Sequence, residues 1–544
     1  MRDQCLSSRA DAILPARAPR YNRRFPEDRK LSLFKSLSTV GGHTLLSRIL
    51  GFVRDLVLAQ VFGANAFTDA FFVAFKIPNF LRRLFAEGAF ATAFVPVLTE
   101  YRTTRDHREL KEFVDHVAGS LGLVTLVVSL LGVIAAPLFV SMFAFGWVLD
   151  AETQKLALAA EMLRLTFPYL FFISLTAFAG GVLNAHDRFA VPAFTPVLLN
   201  LCLIAAALWL APAMDGSVVA LAWGVFVAGI TQFTFQLPFL AQVKLLPRPR
   251  PGFHDPGVRR VLVLMVPALF AVSVTQINLL LDTMLASFLA SGSISWLYYS
   301  DRLMEFPLGI LGVALSTVIL PRLSRRQAQG RSAQFSQTLD WGVRMTVMFG
   351  LPAAVGLMLL AGPIMATLFQ SGEFDATDVA MARRSLMAYA LGLQAFLLIK
   401  VTAPGYYARQ DTRTPVRIGM IAMGVNMAFN LALIVPLQHA GLALATSLAA
   451  YVNAYLLFRG LRRADVFHPA PGWGALLARV GAAVVAMGMV LQWLSPDLAW
   501  WVSAARVDRA VWLIGLIVAA GVVYFSGLFV AGIRLHDLRE GRGH

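Results

Sequence analysis

The sequence predicts an all-α polytopic membrane protein with about 14 transmembrane helices. These helices are expected to form two pseudo-symmetric six-helix lobes around a central cavity, followed by a C-terminal helix pair. Three observations lead to this fold class: an apolar composition, a series of long charge-free stretches and a weak internal repeat. Hydrophobic residues make up 58% of the 544 positions and charged residues 14%, whereas soluble chains average about 45–50% and about 25%. This composition excludes a water-soluble enzyme and a disordered chain.

The predicted helices follow from the lengths of the apolar stretches. A bilayer core about 30 Å thick requires about 20 apolar residues per helix. Several stretches of that length lack Asp, Glu, Lys and Arg altogether, and others keep the apolar pattern while carrying a few charges. In chain order, the predicted helices cover residues 36–63, 66–101, 117–149, 153–187, 189–214, 216–243, 261–281, 294–321, 345–372, 377–408, 418–436, 441–460, 472–494 and 510–533.

The net charge of +16 is a topology signal. Loops on the side of the N-terminus hold 32 of the 47 Lys and Arg residues, and loops on the other side hold only Lys155, Arg506 and Arg509. Basic loops remain cytoplasmic, so we expect both termini to lie on the cytoplasmic side. A nucleic-acid surface is excluded, because it would concentrate basic residues on one folded domain. Cys5 and Cys202 are too few for a disulfide scaffold or a Cys-rich metal site.

Four pairs of matching positions indicate an internal repeat. Their offsets lie between 223 and 230 residues, which spans six helices. An even number of helices gives both copies the same orientation, related by an axis along the membrane normal. The pairs are Pro96 and Pro321, Pro192 and Pro415, Asn200 and Asn430, and Gly216 and Gly441. The expected domains are a disordered basic tail (1–31), an N-lobe (32–247), a C-lobe (258–463), a helix pair (472–534) and a cytoplasmic tail (535–544).

Several charges lie inside the predicted helices, where each costs roughly 3 kcal/mol at the bilayer centre. They must pair with one another or face a wet cavity. The pairs Arg83–Glu87 and Arg302–Glu305 have helix-surface salt-bridge spacings, so a purely structural role stays open for both. Arginine dominates the set, and its fork binds phosphate in bidentate fashion. We therefore expect an anionic phosphate or diphosphate substrate, contacted by Arg48, Arg54, Arg302 and Arg82.

The neighbour of Arg54, Asp55, is expected to point elsewhere on its helix.

A second polar cluster consists of hard oxygen ligands of the kind that hold sodium in transporters. Interhelical hydrogen bonding by Asn and Thr is the alternative. The residues are Asp282, Asn426, Asn430 and Thr446.

No P-loop, His-Glu-x-x-His or Gly-x-Ser-x-Gly motif is present, so a transmembrane enzyme with nucleotide-driven chemistry is disfavoured.

Long motifs in the chain resemble one known family. They are Ser-Arg-Ile-Leu-Gly-Phe-Val-Arg-Asp at 47–55, Thr-Asp-Ala-Phe-Phe-Val-Ala-Phe-Lys-Ile-Pro-Asn at 68–79, the run at 81–90, and the segments 293–307 and 403–411. Over roughly residues 32–537 the chain resembles the MurJ (MviN) family of bacterial lipid II flippases, in the MOP exporter superfamily. The resemblance implies translocation of an undecaprenyl-diphosphate-linked peptidoglycan precursor to the periplasmic leaflet, in support of cell-wall synthesis.

The resemblance also assigns roles to individual positions. The family's cavity residues match Arg48, Arg54, Asp69, Arg82, Arg302 and Glu305. Asp69 and Glu305 are expected to pair with arginines when substrate is absent. Some relatives carry a sodium site, and here Asn430 replaces one of its carboxylates, so the expected cofactor is none or Na⁺. The last two helices are expected to form a groove for the lipid tail.

Two other functions remain open at this point. A MATE-like exporter exchanging drugs for Na⁺ or H⁺ is favoured by Asp282 and disfavoured by the arginine-rich cavity. A cell-wall scaffold that moves no substrate would retain the fold without the transport chemistry. The expected partners are lipid II, membrane lipids and cell-wall synthesis proteins, with no nucleic acid.

Overall fold

The computed structural model describes residues 27–83 and 90–533, without the side chains of residues 27–40, 268 and 270–276. This part of the chain is helical, apart from turns and one isolated antiparallel bridge between Ser371 and Phe374. Of the predicted N-terminal tail (1–31), residues 1–26 lie outside the described residues and residues 27–31 belong to the first helix. The predicted C-terminal tail (535–544) also lies outside the described residues. The predicted partner of Arg83, Glu87, is also outside them.

The helices alternate with short turns. Their bounds are α1 Glu27–Phe62, α2 Ala66–Arg82, α3 Ala91–Thr104, α4 His107–Ile134, α5 Ala136–Phe143, α6 Phe145–Leu149, α7 Thr153–Thr166, α8 Tyr169–Ala185, α9 Ala190–Ala205, α10 Ala211–Ala213, α11 Val219–Gln242, α12 Pro256–Ala286, α13 Ser293–Pro307, α14 Val313–Ala328, α15 Ser332–Met345, α16 Leu351–Leu359, α17 Ala361–Leu368, α18 Ala376–Tyr407, α19 Arg413–Arg463, α20 Trp473–Leu494, α21 Leu498–Ser503 and α22 Arg506–Val530.

Ten helical stretches of the described chain are long and apolar enough to cross a membrane, which makes this a multi-pass membrane protein. One of them, α19, contains two predicted spans, because the chain kinks at Gln438 (φ 52°, ψ −132°). This kink lies inside the predicted break between Pro436 and Gly441. The total of 14 spans stays a prediction.

Prolines explain most interruptions of the long helices. A proline removes one backbone donor and its ring clashes with the preceding turn. The predicted helix at 117–149 is broken at Ala135, two residues before Pro137 in the first turn of α5. Turns of π-helix occur at Ala206–Leu210, Leu308–Gly312 and Thr346–Gly350, each within two residues of a proline. Such turns let a helix bend without losing its direction across the membrane.

Two bundles of helices pack around α12. In the first bundle α1 packs on α9, α8 on α11 and α2 on α7. In the second, α18 contacts α13, α14, α16, α17 and α19. The helix α12 contacts α3, α4 and α5 of the first bundle and α19 of the second. The C-terminal pair α20 and α22 packs on α16 and α17.

Large apolar side chains remain exposed along the outer helices. Trp493 of α20 and Val530 of α22 are 84% and 86% exposed, and Ile134 of α4 is 77% exposed. Apolar surface of this extent marks an interaction face in a soluble protein. In a membrane protein it is the surface that meets lipid, where helices satisfy all backbone hydrogen bonds internally.

A repeated contact supports the internal duplication. Asp115 of α4 pairs with Lys111 and accepts the backbone N–H of Arg248 in the connection to α12 (2.7 Å). Asp340 of α15, 225 positions later, pairs with Arg344 and accepts the backbone N–H of Ala470 in the connection to α20 (3.1 Å). In both halves an aspartate therefore fastens the connection that follows the sixth predicted helix.

Candidate functional site

A buried ion pair on α1 is the centre of the site. Arg54 and Asp55 are 7% and 2% exposed. The Nε and Nη2 atoms of Arg54 donate to Oδ1 of Asp55 at 2.9 and 2.6 Å. The expectation that Asp55 points elsewhere was wrong. Successive helix residues point about 100° apart, but the long arginine side chain folds back far enough to reach its neighbour.

Residues from α9 and α13 complete this pair. Tyr298 of α13 donates its hydroxyl to Oδ1 of Asp55 at 3.0 Å and accepts Nη2 of Arg54 at 3.0 Å. Asn200 of α9 accepts Nη1 of Arg54 at 3.0 Å and donates to the backbone oxygen of Ser47. The cluster therefore joins the two bundles in the interior of the protein. The sequence analysis missed Tyr298 and Asn200 as members, although the i,i+4 spacing of Tyr298 and Arg302 was a signal.

Arg302 extends the cluster along α13. Its Nε lies 3.5 Å from Oδ2 of Asp55, and its guanidinium carbon lies 5.0 Å from the ring centre of Tyr298. Its Nη1 donates to Glu305 at 2.8 Å, so the pairing predicted from the i,i+3 spacing is present. Glu305 is half exposed, whereas Asp55 is buried. Asp55 thus holds Arg302 in place, while the Glu305 carboxylate can leave it.

Arg48 differs from the other two arginines. It is exposed, and within the described part of the chain it has no hydrogen-bond or ion-pair partner. Its Nη1 lies against Gly309, where an added Cβ would come within 2.2 Å. Because Gly309 belongs to the π-turn after α13, Arg48 of α1 reaches across to the second bundle.

The acids of the site lie beside two of its three arginines. Asp55 pairs with Arg54 and Arg302, Glu305 pairs with Arg302, and Asp301 interacts electrostatically with Arg302. Arg48 is exposed and has no ion pair among the described residues, so its guanidinium donors are available to an anion. An anion with two or more oxygens can accept hydrogen bonds from such a guanidinium in bidentate fashion.

Asp69 lies at a different place from the arginine cluster. Its carboxylate, only 3% exposed, accepts the N–H groups of Gly292 and Ser295 at 2.7 and 2.8 Å and the Ser295 hydroxyl at 2.6 Å. These are the first residues of α13, where a negative charge is favoured by the helix dipole. In the described residues it pairs with no arginine, unlike Glu305. Asp69 therefore links α2 to the start of α13.

Further contacts close the same end of the protein. The backbone oxygen of Gln60 accepts the N–H of Glu373 at 3.1 Å. Gly63 and Gly372 allow this approach, since a Cβ at either would lie within 2.5 Å of the opposing backbone. The indole of Trp296 donates to Asp378 at 2.8 Å, a contact within the second bundle. The contacts of Asp69 and the Gln60–Glu373 hydrogen bond form a latch between the bundles, which we call the α1–α2 latch.

Arg82 occupies the last turn of α2. Its Nε donates to Asn79 at 3.0 Å and its side chain is half-buried. Asp69 and Arg82 lie at opposite ends of α2, so the structure does not bring them together. Lys76 lies between them and donates to Thr283 of α12 at 3.1 Å; no role was predicted for this lysine.

The predicted oxygen cluster does assemble. Asn430 donates to Oδ1 of Asp282 at 2.7 Å and to Asn426 at 3.0 Å, and Asn426 lies 3.3 Å from the Thr446 hydroxyl. Asn278, which the sequence analysis missed, donates to Asp282 at 3.4 Å. The side-chain oxygen of Asn430 is buried without a hydrogen bond. In these contacts amide nitrogens face the Asp282 carboxylate, which is the interhelical hydrogen bonding named above as the alternative to a sodium site. A cation there would require the amide oxygens to face this carboxylate instead. The described residues hold no group of three or more His, Cys, Asp and Glu side chains suited to a metal ion.

The sequence was compared with known proteins. Residues 58–507 match the family model described as lipid II flippase MurJ. A probable lipid II flippase MurJ of Haemophilus influenzae is 50% identical over 506 residues, covering 91% of this chain and 99% of the relative. The lipid II flippase MurJ of Burkholderia cenocepacia is 44% identical over 516 residues, covering 94% and 99%.

Solved structures agree with the sequence comparison. A lipid II flippase MurJ in an inward closed conformation superposes with a TM-score of 0.75 at 26% identity, covering 90% of this chain and 99% of that chain. An inward-facing MATE multidrug transporter of the MOP superfamily reaches 0.61 at 15% identity, covering 77% and 94%, a likeness of fold alone. On the sequence match over most of its length, this chain belongs to the MurJ family of lipid II flippases.

Proposed function

We propose that this protein is a lipid II flippase of the bacterial inner membrane. It carries the undecaprenyl-diphosphate-linked peptidoglycan precursor from the cytoplasmic to the periplasmic leaflet by alternating access, as a transporter without catalytic chemistry. Besides family membership, one observation carries the proposal. It is the buried cluster of Arg54, Asp55, Tyr298 and Arg302 between the two bundles, next to Arg48, which has no ion-pair partner among the described residues.

The substrate diphosphate binds between Arg48 and Arg302. Its oxygens take the place of Glu305 on the Arg302 guanidinium, because a diphosphate offers more charge than one half-exposed carboxylate. Arg54 stays paired with Asp55 and holds α1 against α13, so its role is to position the other two arginines. Arg82, at the far end of α2, meets the headgroup as it enters.

The α1–α2 latch determines which leaflet the cavity faces. With both termini cytoplasmic, the turn between α1 and α2 lies on the periplasmic side. Asp69 and Gln60 then close the periplasmic exit, and the site opens toward the cytoplasm, where lipid II is made. Release requires Asp69 to leave the start of α13 so that the two bundles can rock apart at that end.

The membrane potential supplies the driving force. Each negative charge that moves outward across an inside-negative membrane gains about 2.3 kcal/mol per 100 mV. Asp282, Asn426, Asn430 and Thr446 would hold a sodium ion, which would add the energy of its own gradient. Flipping by purified protein in liposomes should slow when the potential is collapsed; an unchanged rate would refute this driving force.

The function is tested by lipid II exposed on the outer face of cells whose only copy is Arg48→Ala or Arg302→Ala, at matched membrane levels. A flippase should lose exposure and accumulate lipid II inside. Arg462→Ala, an exposed arginine at the end of α19, is the matched control and should behave as wild type. Normal exposure in both cavity variants would mean that these arginines are structural or that the chain is a scaffold; altered drug specificity would indicate an exporter.

A further inference from the structure

A second cavity lies far from the arginine cluster, at the surface that the charge asymmetry assigns to the cytoplasm. Its volume is about 760 Å³, and it is lined by residues 107–116 of α4, by Ala241 at the end of α11 and by residues 244–250. The last segment belongs to the connection 243–255, which joins the two bundles. Three separate parts of the chain thus converge on one cavity.

The connection is held rigidly against α4. Arg248 and Arg250 donate their backbone N–H groups to the side chain and the backbone oxygen of Asp115, at 2.7 and 3.2 Å. Gly252 donates to the Ser120 hydroxyl at 2.9 Å. Prolines at 247, 249 and 251 alternate with these arginines and stiffen the segment. The two arginines are therefore presented at fixed positions rather than on a flexible loop.

The arginine side chains are not needed for this attachment. At the repeat-related position in the second half, the residue that donates its N–H to Asp340 is Ala470. An alanine therefore makes the same attachment there, because only its backbone N–H is used. The guanidinium groups of Arg248 and Arg250 have no hydrogen-bond or ion-pair partner among the described residues, which leaves them available to a ligand.

The cavity carries an excess of positive charge. Lys111 and Asp115 neutralise each other. Besides Arg248 and Arg250, the cationic side chains of Arg108 and Lys244 line it without a carboxylate partner in the described chain, against one remaining acid, Glu112. The positive-inside tendency explains basic residues in such a loop. It does not explain their convergence with α4 on one cavity.

We propose that this cavity binds the phosphate group of an anionic phospholipid headgroup from the cytoplasmic leaflet. Basic pockets at the cytoplasmic ends of transmembrane helices suit such headgroups. The connection also exposes Leu246 (45%) and Phe253 (40%), apolar side chains that favour contact with acyl chains over a soluble phosphate. A bound headgroup would tie α4 to the connection between the bundles.

The test compares two variants of the full-length protein in phosphatidylcholine nanodiscs with increasing phosphatidylglycerol. Arg248→Gln/Arg250→Gln removes two cavity charges, and Arg462→Gln/Arg463→Gln removes two exposed charges elsewhere on the same side. Retained phosphatidylglycerol is counted by native mass spectrometry. We expect the cavity variant to bind about 30-fold more weakly, from two lost basic contacts, and the control variant to bind as wild type.

Equal binding by the cavity variant and wild type would overturn the proposal, as would equal weakening by both variants, which reflects general surface charge. Pyrophosphate added to lipid-free protein tests a soluble source. If it raises the melting temperature as much as phosphatidylglycerol does, and only with Arg248 and Arg250 present, the lipid assignment is wrong. A melting temperature in pure phosphatidylcholine checks folding, and Lys244→Gln replaces the double variant if that one unfolds.

Discussion

Replacing Asp69 by Asn should open the α1–α2 latch. The carboxylate accepts three hydrogen bonds from Gly292 and Ser295 at 2.6–2.8 Å and is almost fully buried. Asparagine keeps one acceptor oxygen but loses the charge and places an amide against N–H donors. Hydrogen bonds to a charged group contribute about 1.5–3 kcal/mol, and neutral ones about 1. A net loss of about 2–3 kcal/mol from the latched state follows.

A loss of that size changes the ratio of latched to open protein by about 30- to 150-fold. A disulfide between Gln60→Cys and Glu373→Cys reports the latched state, because the backbones of these residues are hydrogen-bonded. In a background with Cys5 and Cys202 replaced by serine, Asp69→Asn should abolish most of the rapid cross-linking. Asp150→Asn, an exposed aspartate in another turn, should leave it unchanged. Undiminished cross-linking with Asp69→Asn would refute the role of Asp69 in the latch.

Three further predictions concern other contacts. Gly309→Ala should displace the Arg48 guanidinium and reduce lipid II export without unfolding the protein. Gly312→Ala, where the nearest atom to an added Cβ is 3.4 Å away, should leave export unchanged. Equal export by both variants would contradict a role for the Arg48–Gly309 contact. Arg509→Met should lower the melting temperature in detergent, because the buried guanidinium donates to three backbone oxygens and a glutamine. The expected loss of stability is about 2–4 kcal/mol. Arg506 is exposed, so Arg506→Met should change the melting temperature little. Asn430→Asp should increase the difference between the melting temperatures in NaCl and in choline chloride. If this difference is the same in the variant and in wild type, no cation binds at this cluster.

The resemblance and the residue types predicted the composition of the site better than its connections. The arginines on α1 and α13 were identified from the cost of charge in a bilayer, which is a local property. The Glu305 partner of Arg302 was also predicted, from its local i,i+3 spacing. The contact between Asp55 and Tyr298 was not predicted, because the two residues are 243 positions apart. The same limit applied to Asp69, whose expected arginine partner is replaced by the start of α13. No local pattern specifies which helix end meets a given carboxylate.

The sequence by itself determined that the chain is a multi-pass helical membrane protein whose halves are similar, and it predicted that the basic loops share one side of the membrane. These properties depend on the length of apolar stretches and on where charges fall along the chain, so they can be read residue by residue. Only the tertiary structure decided that Arg54 pairs with Asp55, that Arg48 has no ion-pair partner among the described residues and that Asp69 binds the start of α13. Those outcomes depend on which helices pack together, because a charge in a bilayer is stabilised by the neighbours that reach it in space.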